Sequence, residues 1–248
     1  MKGTVTELAL GKRRLTVYRP PACKAAAANG SVAYLLAGEN FAANLPQVAE
    51  ALEPAFDREL PPFFLVLVPP LDWNDDFTPW PAPRLPGREA DFRGGAPEFL
   101  SFLVTEAQTA VQRAFDIRPV PERTALLGYS LGGLTAAFSL FTTGAFGRVG
   151  SLSGSLWYEG FLDYAESRPL CRTDVRVYLS LGKREEHTRN PVMAQVGDCT
   201  RRLEKRLAAQ LDTPGQVRLE WNQGGHFHQV PERFAKALRW LMAEEKEK

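Results

Sequence analysis

The sequence predicts an α/β fold, with a mainly parallel central sheet, an N-terminal antiparallel hairpin and helices on both faces. The two opening segments alternate polar and apolar residues with period two, which is typical of a hairpin. From Val32 onward, short apolar runs alternate with segments of helical spacing. Such runs are typical of strands buried on both faces, and their alternation with helices predicts parallel strands. The 248 residues suit a single domain that spans residues 1–248.

The predicted strands begin with the hairpin, in which residues 4–10 pair with residues 13–18. The remaining strands are the apolar runs at 32–36, 63–68, 124–127, 149–152, 175–181 and 217–221. Apolar spacing and start signals predict helices at 45–56, 97–115, 131–141, 190–211 and 232–245. In such a fold, active residues lie on loops beyond the carboxyl ends of the strands.

Residues 70–95 are rich in Pro, Trp, Asp, Arg and Gly, and their pattern predicts no regular element. Four aromatic residues lie in this segment: Trp73, Phe77, Trp80 and Phe92. A loop of this length in a compact domain is usually functional or disordered, and the aromatics argue against disorder. We therefore expect an ordered, irregular loop near the active site.

The composition argues against several classes of function. Lys and Arg number 30 against 29 acidic residues, so no net field attracts nucleic acid or an anionic membrane. The sequence has neither the roughly 18 apolar residues of a membrane span nor a signal-peptide pattern, so we expect a cytoplasmic protein. Cys23, Cys171 and Cys199 lack the spacing of a metal site, and we expect no metal or other cofactor. Nothing in the sequence indicates the oligomeric state.

The segment Gly128-Tyr129-Ser130-Leu131-Gly132 fits the pattern G-x-S-x-G. A predicted strand precedes it and a predicted helix follows it, which is the context of a nucleophilic serine on a sharp turn. A Cβ at either flanking glycine would clash with neighbouring backbone. This context favours Ser130 as a nucleophile over a solvated serine in a glycine-rich connection.

A serine hydroxyl needs an adjacent base, and the chain has three histidines. In this fold the base follows the final strand, and the chain order is serine, acid, histidine. His226 meets both conditions. His187 precedes the final strand, and His228 lies two residues beyond His226, where solvent or the pocket wall is its expected environment.

The acid that orients the imidazole should follow a strand between the serine and the histidine. Glu185 and Glu186 follow the strand at 175–181, whereas Asp163 and Asp174 follow no strand end. One of the two glutamates must belong to a solvated charge run. The strand-end position by itself leaves both glutamates open.

An oxyanion hole needs two N–H donors aimed at the developing alkoxide. The first candidate is the amide of Leu131, the residue after the nucleophile. The second should come from the loop at 37–40, after the third strand, and we favour the amide of Glu39 or Asn40.

The chain resembles the α/β-hydrolase family of esterases that includes esterase D (S-formylglutathione hydrolase), the mycolyltransferases and the siderophore trilactone esterases. The matching segments are YLLAGEN, GYSLGG, SLSGSLWY, LGKREE and GGHF. The resemblance implies the α/β-hydrolase fold, with Ser130 as nucleophile and His226 as base. The family places its acid three residues after the glycine at the strand end, which implies Glu185. Ala37 departs from the aspartate that the family often has, and this departure concerns the shape of the oxyanion loop.

The resemblance implies a serine esterase that hydrolyses small-molecule carboxylic esters through an acyl-serine intermediate, without a cofactor. We expect the substrate to contact Trp157, Tyr158 and aromatic residues of the 70–95 loop such as Trp73. A thioesterase or acyltransferase with the same triad is one alternative. Another is a catalytically silent binding protein on this fold, against which the intact serine, histidine and acid argue.

Overall fold

The computed structural model describes residues 1–21, 30–56, 58–86 and 90–244, without the side chains of Glu39 and Asn40. In this part of the chain, eight strands form one sheet in the order β1-β2-β4-β3-β5-β6-β7-β8. The strands are β1 (Thr4–Leu10), β2 (Arg13–Arg19), β3 (Ser31–Leu36), β4 (Phe63–Leu67), β5 (Thr124–Tyr129), β6 (Arg148–Leu152), β7 (Arg176–Gly182) and β8 (Val217–Asn222). β2 pairs antiparallel with β1 and with β4, and the other pairs are parallel.

Helices cover both faces of this sheet. They are α1 (Leu45–Leu52), α2 (Trp73–Asp76), α3 (Ala96–Phe102), α4 (Gln108–Phe115), α5 (Leu131–Ser139), α6 (Phe161–Ser167), α7 (Val196–Ala208) and α8 (Val230–Met242). α1 and α8 bury apolar residues in one core, and α3 to α7 contribute to a second core. In β3, Tyr34 belongs to one core and Leu35 to the other, because successive strand residues point to opposite faces. The predicted fold class is thus confirmed.

All five predicted helices differ from the observed ones at one or both ends, and the differences are largest in three of them. The first α-helix ends at Leu52 and continues as a 3₁₀ turn, because Pro54 has no N–H to extend the helical bonding. The helix predicted at 190–211 is α-helical only from Val196, and it follows a turn that the Asn190 side chain caps by accepting the amides of residues 192 and 193. The last helix begins at 230, with Pro231 in its first turn, and ends at 242. Residue 245 of the predicted helix lies outside the described residues.

The prediction that residues 70–95 contain no regular element is wrong in two places. The Asp72 carboxylate accepts the amides of Asn74 and Asp75 and thereby caps this short helix. Further along, Ala82 and Phe92 form an antiparallel bridge. Phe77 and Phe92 are buried in the core, so the described part of the loop packs onto the domain. Residues 87–89 lie outside the described residues.

An ion pair attaches this loop to the hairpin. The Arg13 guanidinium donates to both Asp76 carboxylate oxygens, at 2.9 and 3.1 Å. It also lies 5.0 Å from the ring centroids of Phe99 and Phe102. Asp76 accepts the amide of Leu71 as well. Because the Arg13 and Asp76 side chains are only 11% and 14% exposed, each depends on the other for neutralisation of its charge.

We expect Asp76→Asn to lower the free energy of unfolding by about 3 kcal/mol, because the variant leaves the nearly buried Arg13 charge unpaired. The adjacent ion pair of Arg14 with Glu7 is the control, since its side chains are 69% and 56% exposed. Glu7→Gln should therefore cost less than about 1 kcal/mol. Urea unfolding measures both values, and equal losses would contradict the anchoring role of Asp76.

Candidate active site

Ser130 lies on the sharp turn between β5 and α5. Its backbone has φ 58° and ψ −120°, a strained conformation for a residue with a side chain. The Ser130 amide donates to the carbonyl of Leu152 at 3.1 Å, which fixes the turn against the end of β6. A Cβ at Gly128 would lie 1.9 Å from the carbonyl oxygen of Gly132, and one at Gly132 would lie 2.4 Å from that of Leu36. The flanking glycines are therefore required by close backbone contacts.

His226 and Glu185 meet at the same edge of the sheet. His226 lies on the loop between β8 and α8, and Glu185 lies on a 3₁₀ turn that follows β7. The imidazole Nδ1 is 2.6 Å from Glu185 Oε2. The Glu185 side chain is 4% exposed and that of His226 is 26% exposed, so the carboxylate is buried beneath a partly accessible imidazole.

Two of the other candidate acids, Glu186 and Asp174, have different partners. Glu186 accepts from Arg201 at 2.7 Å, and Asp174 accepts from Arg172 at 2.9 Å. Among the described carboxylates, Glu185 is the one bonded to His226. The structure thus distinguishes two adjacent glutamates that the strand-end position did not.

Three donors hold the second oxygen of Glu185. Oε1 accepts from the hydroxyl of Ser153 at 2.6 Å, the amide of Gly182 at 2.7 Å and Nη1 of Arg233 at 3.1 Å. Burial by itself raises the pKa of Glu185, but the hydrogen bonds from His226, Ser153 and Gly182 and the charge of a protonated imidazole outweigh it. The net pKa of Glu185 is lowered, so the buried carboxylate is ionised.

Arg233 is a member of the site that the sequence analysis missed. Its side chain is 1% exposed. Beyond Glu185, it donates to the Tyr129 hydroxyl at 3.0 Å and to the carbonyls of Gln223 and Gly225 at 3.3 and 3.0 Å. The Tyr129 hydroxyl in turn donates to the carbonyl of His226. Burial raises the pKa of Tyr129 to about 12, so this hydroxyl keeps its proton.

The Ser130 hydroxyl lies 3.4 Å from that of Ser155. No hydrogen bond in the described residues joins the Ser130 hydroxyl directly to His226. The ring of Tyr129, the residue before Ser130, has its centroid 5.4 Å from that of the His226 ring. Such bonds in free enzymes are often long and tighten when substrate binds. The structure thus brings Glu185 and His226 into contact, and it places Ser130 at the end of β5, which β6 separates from β7.

The candidate oxyanion donors lie at the starts of two helical segments. Leu131 is the first residue of α5, and Glu39 and Asn40 begin the 3₁₀ helix Glu39–Asn44 after β3. β3 pairs with β5, with Leu36 opposite Gly128, so the two segments adjoin at one sheet edge. The first N–H groups of a helix have no acceptor within it, which suits them to bind an oxyanion.

The aromatic residues expected to contact substrate have different environments. Trp157 lines a cleft of about 290 Å³, whose other lining residues are Ser153, Arg184, Glu185, Thr188, Met193, Val196 and His226. Trp73 packs against Phe77, with ring centroids 5.1 Å apart, and adjoins the oxyanion loop at Gly38. The expectation for Tyr158 is corrected: its side chain packs against Trp80 and Phe92, it is 2% exposed, and its hydroxyl donates to the carbonyl of Trp80.

The described side chains of His, Cys, Asp and Glu form no group of three or more that could hold a metal ion. Cys171 and Cys199 are free thiols, and Cys23 lies outside the described residues. Within the described ranges, every helix is too short or too polar to cross a membrane.

The sheet order, with its strand–turn–helix at Ser130 and its helices on both faces, defines the α/β-hydrolase fold. A family model described as "Putative esterase" matches residues 9–238, and the chain belongs to that family. Membership supports an ester hydrolase.

Individual relatives agree with this assignment. "Uncharacterized protein YbbA" of Bacillus subtilis (strain 168) is 30% identical over 245 residues, which cover 97% of each chain. The siderophore hydrolase EstA from Aspergillus nidulans has a TM-score of 0.74 at 19% identity, over 97% of this chain and 94% of that one. The IroE-like serine hydrolase from Shewanella oneidensis has a TM-score of 0.75 at 18% identity, over 97% and 80%. At such identities the two solved structures establish the fold alone.

The lowered pKa of Glu185 predicts that the free energy of unfolding depends on pH in the acid range. The ionised carboxylate stabilises the fold above its ordinary value of 4.5, and this contribution is lost as the pH falls through the lower folded-state value. We therefore expect the difference in free energy of unfolding between wild type and Glu185→Gln to be largest at neutral pH and to shrink below 4.5. Urea titrations of both proteins measure this difference. A difference independent of pH would contradict the lowered pKa.

Proposed function

We propose that the protein is a serine esterase in which Ser130 is the nucleophile, His226 the general base and Glu185 the acid that orients the base. The observation that carries this proposal is the 2.6 Å contact between His226 Nδ1 and Glu185 Oε2. Since Nδ1 faces the carboxylate, the other ring nitrogen, Nε2, is free to accept a proton. The chain order of serine, acid and histidine also agrees with this class of enzyme.

In the first step, His226 Nε2 removes the hydroxyl proton of Ser130 while the serine oxygen attacks the ester carbonyl carbon. The amide of Leu131, together with that of Glu39 or Asn40, stabilises the resulting oxyanion. The intermediate collapses by breaking its bond to the alcohol oxygen. The imidazolium gives its proton to that oxygen, so the alcohol leaves and an acyl-serine forms.

In the second step, water replaces the alcohol. His226 removes a proton from the water molecule, and the resulting hydroxide attacks the acyl carbon. Collapse of this intermediate breaks the bond to Ser130, and the imidazolium returns its proton to the serine oxygen. The carboxylic acid is released and the enzyme is regenerated without a metal or organic cofactor.

Glu185 supports both steps by stabilising the imidazolium. Its Oε1 is occupied by three donors, so Oε2 remains directed at Nδ1 of the ring. A carboxylate buried from water interacts strongly with a charge 2.6 Å away. Its lowered pKa keeps it ionised throughout the cycle.

We propose a small-molecule ester as the substrate, bound in the cleft beside His226 with an apolar group against Trp157 and Met193. The cleft of about 290 Å³ has room for part of such a molecule. Because one structural neighbour is a siderophore hydrolase, siderophore esters are the first natural compounds to assay.

We expect wild type to hydrolyse p-nitrophenyl esters and to be labelled stoichiometrically by an organophosphonate at Ser130. Ser130→Ala should abolish both, because only the serine oxygen can form the covalent adduct. Ser155→Ala is the control, since it removes the neighbouring hydroxyl and leaves the nucleophile in place. Intact mass and peptide mapping measure the labelling. A label on another residue, or none on folded wild type, would overturn the assignment of Ser130.

The adjacent glutamates provide a matched test of the acid. We expect Glu185→Gln to lower kcat on the order of 10⁴-fold, as loss of the triad acid does in related sites. Glu186→Gln should retain wild-type turnover, because this side chain pairs with Arg201. Steady-state kinetics on both folded variants measure the effect. The reverse pattern would assign the role to Glu186.

A further inference from the structure

The Arg233 guanidinium is buried, and burial makes its charge costly unless it is neutralised. The side chain is 1% exposed and lies in the first turn of α8, beneath the site. Its ion-pair partner is Glu185, at 3.1 Å. A buried charge needs an opposite charge and hydrogen bonds that replace those of water. Both terminal nitrogens of Arg233 donate hydrogen bonds, whereas its Nε has no partner among the described residues. Arg233 and Glu185 therefore make each other's burial possible.

The hydrogen bonds of Arg233 reach four consecutive strand ends. Nη1 contacts the hydroxyls of Tyr129, the last residue of β5, and Ser153, after β6, as well as Glu185, after β7. Nη2 donates to the carbonyls of Gln223 and Gly225, which lie between β8 and His226. One planar group thus contacts every strand end that carries a member of the proposed triad.

The hydroxyls of Ser153 and Tyr129 link Arg233 to Glu185 and to His226 by hydrogen bonds. Ser153 accepts from Arg233 and donates to Glu185 Oε1. Tyr129 accepts from Arg233 and donates to the carbonyl of His226. The carboxylate orientation and the backbone position of the histidine therefore depend on the same guanidinium.

We propose that Arg233 is the positioning residue of the triad: it holds the Glu185 carboxylate with Oε2 facing His226, and it holds the loop that carries His226 in place. This inference rests on the proposed esterase mechanism. Arg233 does not touch substrate, so its effect falls on kcat rather than on substrate binding. A lysine can replace it only in part, because an ammonium keeps the charge but lacks the planar fork that reaches both hydroxyls and both carbonyls.

The test compares Arg233→Met and Arg233→Lys with Arg176→Met. Arg176 is a matched control, because its guanidinium also binds α8, through the carbonyls of Trp240 and Ala243 at the other end of the helix. We expect Arg233→Met to lower kcat on the order of 10²-fold, as expected for a misplaced catalytic group, with KM changed less than about twofold. Arg233→Lys should show a smaller loss, and Arg176→Met should lose thermal stability but keep kcat.

A second measurement reports directly on the hydrogen bond between His226 and Glu185. In wild type, the proton between His226 Nδ1 and Glu185 gives a low-field proton resonance, which we expect to weaken or shift upfield in Arg233→Met and to persist in Arg176→Met. The proposal is overturned if folded Arg233→Met keeps both wild-type kcat and this resonance. It is also overturned if Arg176→Met loses as much kcat, because the effect would then reflect the attachment of α8.

Tyr129→Phe and Ser153→Ala serve if Arg233→Met does not fold, because each removes one hydroxyl between the guanidinium and the triad. Both should lower kcat with KM unchanged, and wild-type kcat in both would overturn the proposal. Failure of the esterase mechanism has a different signature, namely no label at Ser130 in wild type. The low-field resonance still decides the role of Arg233 in that case, because it reports on His226 and Glu185 without turnover.

Discussion

The site depends on the buried carboxylate of Glu185. The charge of Arg233 balances it on one side, and the His226 imidazole contacts it on the other. Removing one member of a buried ion pair typically costs about 3–5 kcal/mol, because the remaining charge has no water to stabilise it. This pair joins β7 to α8, and its hydrogen bonds extend to the ends of β5, β6 and β8. The interaction that aligns the imidazole therefore also fixes the last helix onto the sheet.

Two neighbouring strand ends show a second constraint on the site. Ser130 and Ser153, after β5 and β6, both have positive φ, of 58° and 46°. Each such residue costs on the order of 1 kcal/mol and persists only where surrounding bonds hold it. Here the Ser130 amide binds the carbonyl of Leu152, and the Ser153 amide binds that of Ser180. The parallel sheet thus supports the strain at both serines, and it places the Ser153 hydroxyl where it donates to Glu185.

Strand positions were predictable because a strand buried on both faces has an uninterrupted apolar run, as in β3 and β5. Helix ends were less predictable, because they depend on local caps such as Asn190 and on proline positions. Strand ends alone could not separate Glu185 from Glu186, since side-chain direction follows from tertiary contacts. Tyr158 was misjudged because the folding of the 70–95 loop over it is a long-range event. Arg233 did leave a signal: it shares the apolar stripe of α8 with Ala237 and Leu241.

The position of Arg233 near the C-terminal end of the fold has a consequence for the order of assembly. The pairs that complete the site are distant in sequence, with Tyr129 and Arg233 separated by 104 residues. During synthesis, the turn at Ser130 and the strands through β7 can form while α8 is still absent, since domains grow from the N-terminal side. Until α8 docks, Glu185 has no buried cation beside it and the loop of His226 has no fixed support. A nascent chain therefore carries Ser130, the proposed nucleophile, long before it carries a supported His226, the proposed base.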